Sequence, residues 1–187
     1  MTPREAPHEA ELRRILRGSD RLMGILEAVR GCDSPGWLVG GVLYKLVRNR
    51  LHGYPETAHA EDVDVVFFAP DDLGLKREQA VERDLRVRRP DVPWEAKNQA
   101  AVHVWYEGKF GHVVPPLRSS EEGIAANPGT ATAVGVRLLA DDGLYVAAPL
   151  GLDDRLGMVM RRNSRRVTPE AFRQWVLKKV CERGGPG

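Results

Sequence analysis

The sequence predicts an α/β (α+β) domain, and three stretches carry that prediction. Asp62 to Phe68 is rich in β-branched and aromatic residues and stops before Pro70, as a strand does. Trp37-Leu38-Val39 reads as a shorter buried strand that runs through Gly40-Gly41 into a helical stripe from Val42 to Leu51. Ala131 to Leu139 and Leu144 to Ala147, joined by Asp141-Asp142-Gly143, read as a β-hairpin.

The chain of 187 residues fits one domain and can bury a real core. It divides into an N-terminal helical segment over 1–35, a core over 36–162, a C-terminal helix within 163–183 and a tail over 184–187 that is expected to fray. With 42% hydrophobic and 29% charged residues, the composition is that of a soluble globular protein. A net charge of +2 argues against a broad phosphate-backbone footprint. Cys32 and Cys181 stand far apart without a Cys-x-x-Cys spacing, so neither a disulfide framework nor a zinc site is signalled. Met1 to Arg17 lacks the apolar core of a signal peptide, and no apolar run is long enough to span a bilayer. The expected compartment is the cytoplasm, and no membrane partner is implied.

In chain order, Glu9 to Arg17 places Leu12, Ile15 and Leu16 on one helical face. Gly18 breaks that helix, and Ser19 or Asp20 caps a second one through Leu22, Ile25, Leu26 and Val29. The helix after Gly40-Gly41 buries Val42, Leu43, Leu46 and Val47, with Arg50 on the same stripe and Lys45, Arg48 and Asn49 turned away. His52 to Glu61 is a connecting loop, whose His52 and His59 lack the partner spacing of a metal site. Asp71 to Arg89 is a charged, exposed helix and loop, and Pro90 and Pro93 fix the next turn. Asn98 to Tyr106 reads as a helix with Ala100, Val102, Val104 and Trp105 partly buried, followed by a loop over 108–118. Ser119 caps a short helix. Gly151 to Met160 reads as helical, with Asp153-Asp154 as its N-terminal charge pair. Thr168-Pro169-Glu170 opens a last helix with Phe172, Val176, Leu177 and Val180 inward.

The chemistry concentrates at three places. Period-two geometry puts Asp62 and Asp64 on one face of their strand and Val63, Val65 and Phe67 on the other. Two such carboxylates repel unless both reach solvent or a divalent cation sits between them. Gly40-Gly41 is either a tight strand-to-helix turn or a place where backbone approaches an anion at a helix start. Neither Gly-x-x-x-x-Gly-Lys-Ser/Thr nor Gly-x-Gly-x-x-Gly occurs, which excludes a Walker loop and a dinucleotide fingerprint. In Trp94-Glu95-Ala96-Lys97, a strand beside the first would turn Glu95 to the side of Asp62 and Asp64. Three carboxylates converging from adjacent strands can hold two Mg²⁺ ions, one for the phosphates of a nucleotide and one for a hydroxyl near Glu95.

These features together resemble the nucleotidyltransferase superfamily with the DNA polymerase β-like fold, and more closely its small stand-alone bacterial members. The resemblance is carried by Gly40-Gly41, Arg50-Leu51-His52-Gly53-Tyr54, Glu61 to Phe68 and Trp94 to Ala100. It continues through His103 to Tyr106, Lys109-Phe110-Gly111, Ala131 to Leu138 and Gly151 to Asp154. It implies a mixed sheet flanked by helices, Mg²⁺ at Asp62, Asp64 and Glu95, and triphosphate contact at Gly40-Gly41. The sequence departs from the superfamily pattern in two ways. About twenty residues separate Gly41 from Asp62, so the intervening helix and loop must be extended. Val42 follows the second glycine, leaving only backbone donors for a phosphate.

The expected activity is therefore Mg²⁺-dependent transfer of a nucleoside monophosphate from an NTP, such as ATP, to a hydroxyl of a small-molecule acceptor. Asp62, Asp64 and Glu95 are the catalytic residues, and Gly40, Gly41 and Lys97 the nucleotide-binding ones. A tRNA end or a protein side chain is the alternative acceptor, and a non-catalytic nucleotide-binding module the alternative class; nucleic acid is not favoured. His103, Thr130, Thr132 and Arg137 stand as substrate contacts or as ordinary core and surface residues. The basic run Arg161 to Arg166 is either a solvated surface or a guide for a polyanion. Nothing in the sequence specifies an oligomeric state or a preferred base.

Overall fold

In the computed structural model, which describes residues 7–34, 36–56, 62–164 and 167–181, two helices come first. Helices α1 (Pro7–Arg17) and α2 (Asp20–Arg30) are separated by Ser19, whose Oγ accepts from the Leu22 N–H at 3.1 Å and donates to Glu56 at 2.6 Å. The hydroxyl is buried with both roles filled, so it fixes the start of α2. Strand β1 (Gly36–Leu38) leads into α3 (Gly41–His52), and β2 (Val63–Phe67) into α4 (Leu75–Arg88). Strand β3 (Trp94–Asn98) turns through Gln99–Ala101 into α5 (Val102–Phe110), and α6 (Ser120–Ala125) follows a loop. The hairpin β4 (Gly135–Leu138) and β5 (Leu144–Ala147), a short α7 (Asp153–Leu156) and α8 (Pro169–Cys181) complete the order.

Among the described residues the strands form one mixed sheet in the order β3-β2-β1-β4-β5, in which β2 and β3 are parallel and every other pair is antiparallel. One face meets α1 to α4: Val63, Val65 and Phe67 pack with Trp94 and Ala96 against Leu12, Ile15, Leu26, Val47 and Leu85. Each such side chain contributes about 1.5–3 kcal/mol by leaving water. The other face is thinner. There Trp37, Val39 and Ala147 meet Ile124 of α6, leaving the β2–β3 side of that face open.

Several expectations fail locally, each for a visible reason. Ala131 to Leu139 is not all strand, because the Thr132 hydroxyl bonds Asn127 at 2.7 Å and Gly129 O at 2.9 Å and holds Thr130–Thr132 in a turn. The helix expected over 151–160 ends at Leu156, and Met158 takes a left-handed φ of 54°. Asn98 ends β3 and caps the following turn, accepting from Ala100 N, while α5 runs on to Phe110. Val104 lies on the solvent side of α5 and Leu177 on that of α8. Asn49 faces inward, its amide donating to Pro55 O at 3.1 Å, and Arg50 is exposed. His59, Ala60, Glu61, Arg165, Arg166 and the tail over 184–187 lie outside the described residues, as does the side chain of Val180.

Candidate functional site

Gly40 sits where β1 becomes α3, with φ 75° and ψ −143°, a conformation that L side chains avoid. Pairing of β1 with β2 continues past the strand, Val39 N donating to Asp64 O at 3.0 Å, and brings Asp64 beside the turn. A Cβ on Gly40 would overlap Asp64 Oδ2 and lie 3.1 Å from its Cγ. The glycine is thus required twice, by its backbone angles and by the carboxylate seated on it. Gly40 has no side chain with which to cap α3, whose first-turn N–H groups start next to this carboxylate.

Parallel pairing sets Glu95 level with Asp64 and Lys97 level with Val66, all facing away from the main core. Asp62 lies on the same side by alternation, exposed and just before the first residue of β2. Lys97 Nζ stands 3.3 Å from Glu95 Oε1 and 3.5 Å from Glu78 Oε2. Partial burial works to lower the Lys97 pKa, but Glu78 and Glu95 outweigh it and hold the ammonium above its ordinary value. Glu78, nearly fully buried on α4, also accepts from Asn98 N at 2.9 Å, and Glu82 accepts from Ala96 N at 3.1 Å. These two carboxylates, one helical turn apart, fix the height of β3 and with it the level of Glu95 and Lys97. Among the described residues no three carboxylate, imidazole or thiolate side chains are gathered closely enough to hold a metal ion.

A cleft of about 400 Å³ opens over this face. Asp64 and Lys97 line it together with Gly41, and so do Trp105 and Tyr106 of α5 and Trp175 of α8. His103 does not line it. Neither does Arg137, whose guanidinium is 4.7 Å from the Trp37 ring and 5.1 Å from that of Tyr145. Thr130 bonds Asp154 at 2.6 Å, and Arg161 pairs with the same carboxylate at 2.7 Å, so Asp154 works as a clamp between the turn and the segment before α8. Arg162 donates to Val167 O at 2.5 Å. Sequence reasoning missed Trp175, Asn127 and Glu78. The i, i+4 pair Glu78 and Glu82 on one helix is the signal that could have found the last.

Residues 33–183 match the family described as Nucleotidyltransferase. This chain belongs to the nucleotidyltransferase family. A solved structure titled as an NMR structure that "reveals a CCA-adding enzyme head domain" is similar to it, with 27% sequence identity and a TM-score of 0.73. That likeness covers 92% of this chain and 88% of the other. No curated protein matches the sequence. The mixed sheet with flanking helices is the nucleotidyltransferase-type fold that the motifs implied.

Proposed function

We propose that this nucleotidyltransferase moves a nucleoside monophosphate from an NTP to a hydroxyl of a small-molecule acceptor and releases pyrophosphate. The observation that supports this reading is the lateral pairing of Asp64 with Glu95 beside the Gly40 turn, where Asp64, Gly41 and Lys97 line one open cleft. The donor set is carboxylate oxygen alone, which fits a hard divalent cation such as Mg²⁺. Asp62 and Asp64 would hold two such ions, with Glu95 sharing one of them. When bound, the ions neutralise phosphate charge and lower the pKa of the acceptor hydroxyl.

The protein groups have distinct tasks. Gly40 and Gly41 offer backbone at the start of α3, where unpaired N–H groups and the helix dipole favour the outer phosphates. Lys97, fixed between Glu78 and Glu95, supplies positive charge to the cleft. Glu95 takes the proton of the acceptor hydroxyl on its carboxylate. The hydroxyl oxygen bonds to the α-phosphorus while the bond from that phosphorus to the bridging oxygen breaks, and the electron pair leaves with pyrophosphate.

The test uses α-labelled ATP, GTP, CTP and UTP with Mg²⁺, the protein and a size-fractionated cell extract, with Asp64→Asn as control. Label in the small-molecule fraction that is absent from the control is the expected result. No transfer, with nucleotide still bound, would make the chain a binding module. A nucleic-acid end is the second acceptor class, favoured by the likeness to a CCA-adding enzyme head domain, and label on RNA would select it.

A further inference from the structure

The sequence has four tryptophans, and two of them are core residues: Trp37 and Trp94 are 2% and 4% exposed. Trp105 and Trp175 are partly exposed and line the same cleft as Asp64, Gly41 and Lys97. They come from α5 and α8, elements far apart in the chain. Each ring has aromatic neighbours. Trp105 has Tyr106 at 6.0 Å and Phe110 at 6.5 Å, with Lys109 Nζ 5.6 Å from its centroid. Trp175 stacks on Phe172 at 5.8 Å with 24° between the planes, and a Cβ on Gly129 would come within 3.1 Å of its ring. Both are large indoles left partly in water beside Asp64, Gly41 and Lys97, outside the buried core. Asn127 lines the cleft too. Its Oδ1 is taken by the Thr132 hydroxyl, and among the described residues nothing takes its NH₂ group.

We infer that Trp105 and Trp175 form the platform on which the base of the donor nucleotide stacks, making α8 part of the nucleotide site. This rests on the nucleotidyl-transfer reading above, which places the triphosphate at Gly40-Gly41 and the carboxylates. The cleft runs without a break from Gly41 and Asp64 to both indoles, and its volume is that of a small-molecule site. Stacking on aromatic faces tolerates any base, and the Asn127 amide sets a hydrogen-bond donor at its rim.

The test compares binding of the four nucleoside triphosphates with binding of inorganic tripolyphosphate, all with Mg²⁺, by calorimetry on the full chain. At least one NTP is expected to bind tighter than tripolyphosphate by roughly 5- to 100-fold, the range that loss of a stacked base produces. Trp175→Ala should remove most of that advantage while leaving tripolyphosphate affinity unchanged. Trp175→Phe, which keeps a stacking ring and the helix, should stay within a few-fold of the parent. Quenching of tryptophan emission by the NTP should shrink in Trp105→Ala and in Trp175→Ala. An NTP that binds no tighter than tripolyphosphate, or an advantage that survives Trp175→Ala, overturns the platform and leaves the catalytic reading standing. Failure of both NTP and tripolyphosphate to bind overturns the nucleotidyl-transfer reading, and the platform with it.

Discussion

Replacing Gly40 by alanine tests the turn and the carboxylate seated on it in one experiment. With φ 75° and ψ −143°, the backbone at Gly40 lies in a region essentially reserved for glycine, at a cost of about 1–3 kcal/mol for alanine. The new methyl must also displace the Asp64 carboxylate, an overpacking term of about 1–3 kcal/mol. Gly53, at the opposite end of the same helix, supplies the control. Its φ is 69° and ψ 19°, and a Cβ there meets nothing within 4 Å, so Gly53→Ala should cost only the left-handed term of about 1–2 kcal/mol. Urea unfolding of both variants is expected to give a total of about 2–6 kcal/mol for Gly40→Ala and clearly less for Gly53→Ala. A double-mutant cycle with Asp64→Ala isolates the contact, because Gly40→Ala in that background should lose its overpacking term. Equal costs at the two glycines, or strict additivity with Asp64→Ala, would refute the geometry on which Asp64 is placed.

Three further outcomes follow from other residues. Glu78→Ala strands the buried Asn98 N–H, for about 1–3 kcal/mol, and loses a half-exposed Lys97 pair worth at most about 1 kcal/mol, whereas Glu78→Gln restores an acceptor and should cost less than half as much. If chemical denaturation finds the two variants equal, the backbone bond is not what Glu78 contributes. Arg155 is almost fully buried, its guanidinium nitrogens have no partner among the described residues, and burial outweighs the nearby Tyr44 to bring its pKa down to about 10. Arg155→Met should therefore raise stability at pH 8 by about 1–4 kcal/mol. The folded-state pKa lies below the unfolded one, so the unfolded state holds more protons above pH 10; the parent should gain stability from there upward and the variant should not. A loss in the melting temperature of the variant at pH 8 counts against this. Burial, with Asp84 beside it, pushes the Cys32 thiol up to about 12, so at pH 8 roughly one molecule in ten thousand carries the thiolate. Peptide mapping after iodoacetamide should find Cys32 unlabelled in the native protein and labelled in urea.

The parts of the fold legible in the sequence are those whose cause is local. Alternation alone separates Asp62 and Asp64 from Val63, Val65 and Phe67, and the burial along β2 follows it. Ser19 and Ser119 announce the helices they cap, each accepting from the N–H three residues on. Glu95 could be turned to the side of Asp62 and Asp64 only by supposing that its strand lies beside theirs, and the parallel pairing that sets it level with Asp64 comes from the structure. What escaped depends on distant neighbours. Val104 looks like a core residue inside an apolar run, yet α5 turns it to solvent. Trp175 is invisible because a helical stripe through Phe172 and Val176 says which side of α8 packs, not which distant loop and strand the remaining ring will meet. Thr132 and Asn127 settle the turn before β4 by side-chain bonds that β-propensity does not weigh.

The two borders of the sheet are chemically opposite. Along β3 the outward amide hydrogens of Ala96 and Asn98 end on carboxylates of α4, and along β5 the carbonyl of Leu144 ends on Arg13 of α1, with Arg17 holding Asp142 O in the adjoining turn. A foreign strand approaching either border finds these backbone groups already taken. The same helices that close the core thus act as bumpers against edge-to-edge association. Loss of Glu82 or Arg13 would free one such group at its border, the Ala96 N–H or the Leu144 carbonyl.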